Sequence, residues 1–167
     1  MKNQKFYIVL VLFILLSPAC GIYSFSGAQI GTATTLSIQY FPNKAPLTAP
    51  QLSQVFTEKL KSKFVRESSL RLIEKEGDMQ ISGYISSYEL TPLAVQSNIT
   101  AAQNRLTITI QVKFVNLTDE KYNFDEVFSN FADFNATVNL SSVENALIEE
   151  ICDKVVQEVF NKALINW

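Results

Sequence analysis

Arg105-Leu-Thr-Ile-Thr-Ile-Gln-Val-Lys-Phe-Val-Asn116 is the stretch on which the fold turns. Leu106, Ile108, Ile110, Val112 and Phe114 alternate with Thr107, Thr109, Gln111 and Lys113, a period of two kept without an error. Successive side chains of a strand point to opposite faces, so the pattern predicts an antiparallel strand with one apolar and one wet side. An apolar sheet face must be covered by another layer. Two flanking segments have the period to supply it. Leu52, Val55, Phe56, Leu60 and Phe64 recur at spacings of three and four, one apolar stripe of a helix. Thr48 with Gln51 predicts a capping box at its start, and Pro50 falls in the first turn, where a missing N–H costs nothing. Lys59, Lys61, Lys63 and Arg66 keep off the centre of the stripe and make the last turns basic, as the helix dipole favours. The second helix begins at Ser141, with Glu144 as reciprocal capping partner. Its apolar face runs through Leu147, Ile148, Ile151, Val155, Val159, Phe160 and Leu164.

The remaining segments read as strands. Thr35 to Tyr40 alternates with Leu36, Ile38 and Tyr40 on one face, and Phe41-Pro-Asn-Lys-Ala-Pro46 stops it. Leu70 to Ile73 is short, and Glu74 to Gly77 turns the chain. Gln80 to Leu90 is longer, with Gly83 marking a bulge or a close backbone approach. Thr91-Pro92 is expected to end its regular pairing, and Ala94 to Gln103 reads as a polar connection. Tyr122 to Phe134 returns with Phe124, Phe128, Phe131 and Phe134, where the alternation slips and a bulge is expected. The order β-α-β-β-β-β-α predicts an α+β two-layer sandwich: a mostly antiparallel sheet of four to five strands with two helices on one face. It forms a single domain over residues 35–167.

The N-terminus carries a different message. Lys2 and Lys5 precede an unbroken apolar run from Phe6 to Leu16, followed by Ser17-Pro-Ala-Cys20. That is the pattern of a secretory signal peptide over residues 1–19, and the run is shorter than the about 20 apolar residues a spanning helix needs. Ala19-Cys20 is similar to a bacterial lipobox, although Ser17 stands where that pattern prefers Leu, with Leu16 one step further back. The alternative is an ordinary secreted chain cut after Ala19, which leaves an exposed free thiol in an oxidising compartment. Lipid attachment at Cys20 is therefore expected, with residues 20–34, rich in Gly, Ser, Ala and Thr, as the lipidated N-terminus and tether. Gly21 rather than Asp follows the cysteine. By analogy with the sorting rules of enteric bacteria, this points to the outer membrane, facing the periplasm.

Composition excludes several functions. There is no histidine, which removes Ser-His-Asp and Cys-His activation of a nucleophile and the commonest metal ligand. Glu149 and Glu150 are adjacent on a helix and point apart, and Asp119-Glu120 falls in a turn, so neither pair is placed for acid–base work. No glycine-rich phosphate loop or metal-ligand spacing is present, and neither catalysis nor a cofactor is expected. The net charge of −2 argues against nucleic acid. Cys152, in a helical stretch beside Ile151, Val155 and Val156, reads as a buried inert thiol. Asn-x-Ser/Thr triplets at Asn98, Asn116, Asn135 and Asn139 read as coincidence in an Asn- and Thr-rich chain.

Several segments together carry a family resemblance: Cys20-Gly-Ile-Tyr-Ser-Phe-Ser-Gly27, Tyr40-Phe-Pro-Asn43, Leu52 through Leu60, Asp78-Met-Gln-Ile-Ser-Gly83, Asn104-Arg-Leu-Thr-Ile108, Phe131-Ala-Asp-Phe134 and Phe160 through Trp167. In this order and spacing the chain resembles the lipopolysaccharide-assembly lipoprotein family LptE, in its branch outside the proteobacteria. The resemblance implies a non-catalytic partner of the large β-barrel LptD, plugging its lumen, helping it fold and touching lipopolysaccharide. It hands over no site. Arg105 and Lys113 have the charge for a lipopolysaccharide phosphate, and their plainer reading is a solvated or salt-bridged sheet surface. The Phe124 to Phe134 aromatics face either a barrel wall or the core. The alternative function is a periplasm-facing pilot or lipid-binding lipoprotein of another envelope system.

Overall fold

The computed structural model describes residues 32–47, 49–93 and 102–165. Its elements in chain order are β1 (Thr35–Ile38), α1 (Leu52–Glu67), β2 (Arg71–Ile73), β3 (Met79–Leu93), β4 (Gln103–Asn116), β5 (Phe124–Asn135) and α2 (Leu140–Leu164). One sheet runs β2-β1-β3-β4-β5. The alternating stretch is β4, paired with β3 along its whole length and with β5 from Gln103 to Phe114, and Leu106, Ile108, Ile110, Val112 and Phe114 are all at most 1% exposed. The expected two-layer α+β sandwich is what forms, with a five-stranded sheet.

The sheet is mixed. β3, β4 and β5 are antiparallel neighbours, whereas β1 is parallel to both β2 and β3. The chain passes from β2 to β3 across the face of β1 that carries Ser37, opposite Leu36 and Ile38. Gly77 lies there so closely that a Cβ would stand 2.6 Å from the Ser37 nitrogen. β1 ends at Ile38, and Tyr40 is 60% exposed rather than on the core face. The chain leaves the strand to run beside β3, with Gln39 N–H on the Ile81 carbonyl (2.9 Å) and Ile85 N–H on that of Pro42 (3.0 Å). Phe41, fully buried, takes the core place that Tyr40 was expected to fill, edge-on to Phe56 at 5.0 Å. Its ring is also why Gly83 is glycine: a Cβ would meet it at 2.7 Å and the Gln111 carbonyl oxygen at 2.0 Å. Gly83 marks the close approach. The bulge lies further on, at Ser86 between Ile85 and Ser87.

The expected slip in β5 is absent. Its register with β4 is unbroken from Phe114↔Phe124 to Gln103↔Asn135. Phe128 and Phe134 are buried and Phe124 packs against the core, whereas Phe131 is on the other face, 41% exposed. Thr91-Pro92 does not end β3 either, because pairing with β4 continues to Leu93↔Gln103.

The helices lie parallel, tied by three polar pairs that are each 94 residues apart: Gln51 with Asn145, Lys59 with Asp153 (2.7 Å) and Lys63 with Gln157 (2.5 Å). Beneath them Phe64 meets Phe160 edge-on at 5.1 Å. The capping box expected at Ser141 and Glu144 does not form, and the one expected at Thr48 falls partly outside the described residues. The Gln51 amide crosses to Asn145. At α2 the cap is Asn139, whose Oδ1 accepts from Ser141 N–H at 3.1 Å, while Glu144 accepts the Tyr88 hydroxyl at 2.5 Å. Burial first, and then that carboxylate, pushes the Tyr88 phenol well above its usual range.

The Asn-x-Ser/Thr triplets have a structural explanation. Asn116, Asn135 and Asn139 each accept, through Oδ1, both the N–H and the hydroxyl of the residue two positions on (Thr118, Thr137 and Ser141). Asn turns the chain, and a hydroxyl two residues later adds a second donor to the same oxygen. Asn98 lies outside the described residues.

Candidate functional site

Among the described residues the helices cover one sheet face, and on the opposite face β4 and β5 have no second layer over them. Because cross-strand partners share a face, β4 and β5 place Arg105 beside Asp133, Thr107 beside Phe131, Thr109 beside Ser129, Gln111 beside Val127 and Lys113 beside Asp125 on the uncovered side. Thr109 and Ser129 hydroxyls bond at 3.0 Å, and Val127 is 58% exposed. The face is polar with isolated apolar points.

Arg105 and Lys113 are both on it but not together. They stand eight residues apart on one strand, about 27 Å at about 3.4 Å per residue. Arg105 is engaged: Nε and Nη2 reach the two Asp133 oxygens at 2.7 and 2.9 Å, and the guanidinium lies 3.5 Å from the centre of the Phe131 ring. The Asp133 hydrogen bond raises the Arg105 pKa, and the guanidinium in turn lowers that of Asp133. This stack shields the one aromatic of β5 that faces away from the core. Lys113 is exposed, between Ser82 and Asp125, and among the described residues it makes no ion pair.

A dense polar contact that joins distant parts of the chain lies elsewhere. Asp78 accepts the N–H groups of Thr34 (2.8 Å) and Thr35 (2.9 Å) and the Thr34 hydroxyl (3.1 Å), and its own N–H donates to the Thr35 hydroxyl (2.9 Å). The Thr34 backbone bond leads the causes that hold its carboxyl at about 2. The partners are distant in sequence, so nothing local in Asp78-Met-Gln-Ile-Ser-Gly83 revealed the role.

Cys152 is fully buried, and burial pushes its thiol up to about 12, far from a reactive thiolate. Among the described residues no group of three metal-ligating side chains converges, and no helix is long and apolar enough to cross a membrane. Cys20 lies outside the described residues.

Fold and surface define a class: a two-layer α+β fold with a polar sheet face turned away from its helices. Within that class the chain belongs to the LptE lipopolysaccharide-assembly family, whose model matches residues 33–163. Among curated proteins none matches the sequence. Solved structures share the fold at low identity. A protein of Xanthomonas campestris superposes with a TM-score of 0.55 at 11% identity, covering 83% of this chain and 87% of that one. A hypothetical protein of Chlamydia trachomatis gives 0.53 at 7% identity, covering 78% and 98%.

Proposed function

We propose that this chain is a non-catalytic lipoprotein that partners and plugs an LptD-type β-barrel in lipopolysaccharide transport and outer-membrane assembly. In this reading it is cut before Cys20 and held by lipid on that residue in the outer membrane, facing the periplasm. The observation that carries it is the family match, which spans nearly the whole folded domain. The sequence adds the signal-peptide pattern of residues 1–19, and each lipid methylene buried contributes about 0.8 kcal/mol to anchoring. Direct lipopolysaccharide contact through Arg105 and Lys113 belongs to the same proposal. Lys113 is the more available of the two, since Arg105 must first release Asp133.

The test is to purify the tagged full chain from detergent-solubilised membranes of its host and identify what accompanies it. An equimolar large barrel, absent when an unrelated lipoprotein carries the tag, is the expected result. A chain that emerges monomeric overturns the proposal.

A further inference from the structure

The two long edges of the sheet are finished differently. On β5 the outward N–H of Phe131 is taken by the Asn130 side chain at 3.1 Å, and its carbonyl by Lys154 Nζ at 2.9 Å. Asp125, Glu126 and Asp133 add charge along the same strand. Charge and self-capping are how an edge is closed to other strands.

On β3 the edge is closed only halfway. β1 and residues 39–44 pair with it up to Ile85, where the Lys44 N–H makes the last bond at 2.9 Å. Beyond the Ser86 bulge, β4 keeps pairing on one side to Leu93, and no described residue pairs on the other. The alternation of antiparallel bonds says which groups point outward. Ile85, opposite Ile110, directs its N–H and carbonyl away from β4, to Pro42 and Lys44. By the same alternation Tyr88, opposite Ile108, Leu90, opposite Leu106, and Pro92, opposite Asn104, direct theirs outward too. That leaves two donors and three acceptors in a row. Pro92 fits the assignment, because the donor it lacks would have faced outward rather than into the ladder. Beside this row Leu90 is 42% exposed on the helix side, and Glu89 is exposed on the other face.

We propose that the edge from Tyr88 to Pro92 is a strand-pairing site for an extended segment of the partner barrel's polypeptide, laid end to end with residues 39–44. The identity of the partner rests on the proposed function; the site does not. The segment it fits is short and extended. It carries an apolar side chain against Leu90 on the helix side and a basic or neutral one next to Glu89 on the other. Backbone bonds supply the affinity in such additions, and alternate side chains the choice of guest. A second copy fits worse: two such edges paired about Leu90 set each Pro92 against Tyr88 of the other, and one bond is lost at each.

The test is hydrogen exchange at the Tyr88 and Leu90 amides, in the full chain as extracted with its partner and in the same chain after separation. Slowing of at least about tenfold confined to these amides in the complex supports the proposal, and corresponds to about 1.4 kcal/mol of protection. Leu90→Pro removes one outward donor and is expected to cut the co-purified partner about tenfold. A barrel that co-purifies with both amides exchanging freely overturns this inference and leaves the proposed function standing. Protection by a different polypeptide keeps the edge as a pairing site but overturns the barrel as its occupant, and with it the proposed function. Protection in the separated chain, or only in a dimer of it, overturns the inference in favour of the chain's own residues or a second copy. Free exchange with nothing co-purifying overturns both.

Discussion

Asp78 gathers three donors from Thr34 and Thr35, where the domain begins, onto one carboxylate oxygen, Oδ2, and returns its own N–H to the Thr35 hydroxyl. With the carboxyl held at about 2 against an ordinary 3.8, the folded state binds its proton more weakly than the unfolded chain. The contribution to stability is therefore complete above about pH 4 and is lost as the pH falls towards 2. Thermal melts across that window should lose part of their acid sensitivity in Asp78→Asn, which keeps one acceptor oxygen but no charge. Gly83 is stricter. A methyl at Gly83 runs into the Gln111 carbonyl oxygen at 2.0 Å, and that atom belongs to the central strand and has no room to yield. Gly83→Ala should lower the urea midpoint by more than Gly→Ala changes at open sites do, if it yields soluble protein at all. Arg105 and Phe131 show how a residue-level pattern misleads. A phenylalanine out of phase on β5 suggests a slip in register, but it is tolerated in phase because a guanidinium covers its ring.

Elements were legible where one signal had no rival. β4 was readable because the five apolar residues from Leu106 to Phe114 in the alternation all point the same way, and the apolar stripes located both helices within a few residues. Helix starts were not, because a polar side chain near an end has more than one partner within reach. Gln51 is drawn to Asn145 on the neighbouring helix, and Glu144 to the Tyr88 hydroxyl, both far away in sequence. Asn139, first read as part of a chance triplet, is the residue that caps α2. Asn139→Ala should therefore cost about 1 kcal/mol, whereas Asn139→Asp should cost little, as denaturant unfolding would show. Conversely, Pro92 was expected to end β3 and does not, because the ladder on that side asks it for no donor.

For the molecule as a whole, the layers followed from the order of elements, but the sheet order did not. Nothing in Thr35 to Ile38 says that the strand will insert in parallel between two others, because that depends on the chain crossing it at Gly77. The candidate surface was legible in part: alternation placed Arg105 and Lys113 on the wet side of β4, but their neighbours came from a strand whose register was misread. The anchoring proposal belongs to this scale. Cys20→Ser should leave the protein unacylated and move it from the membrane to the soluble fraction of a cell lysate, while the purified domain keeps its melting temperature. A membrane-bound, acylated Cys20→Ser protein would refute it.

The placement of β1 has a mechanical consequence. A pull arriving through residue 33 enters at the head of a strand flanked on both sides by parallel neighbours, with Asp78 gripping the first two residues. The load then runs along the strand axis, and the flanking bonds resist it in shear, together, instead of parting one after another as they would at a peeled hairpin. A domain tugged from that end should hold its shape until those bonds fail as a group.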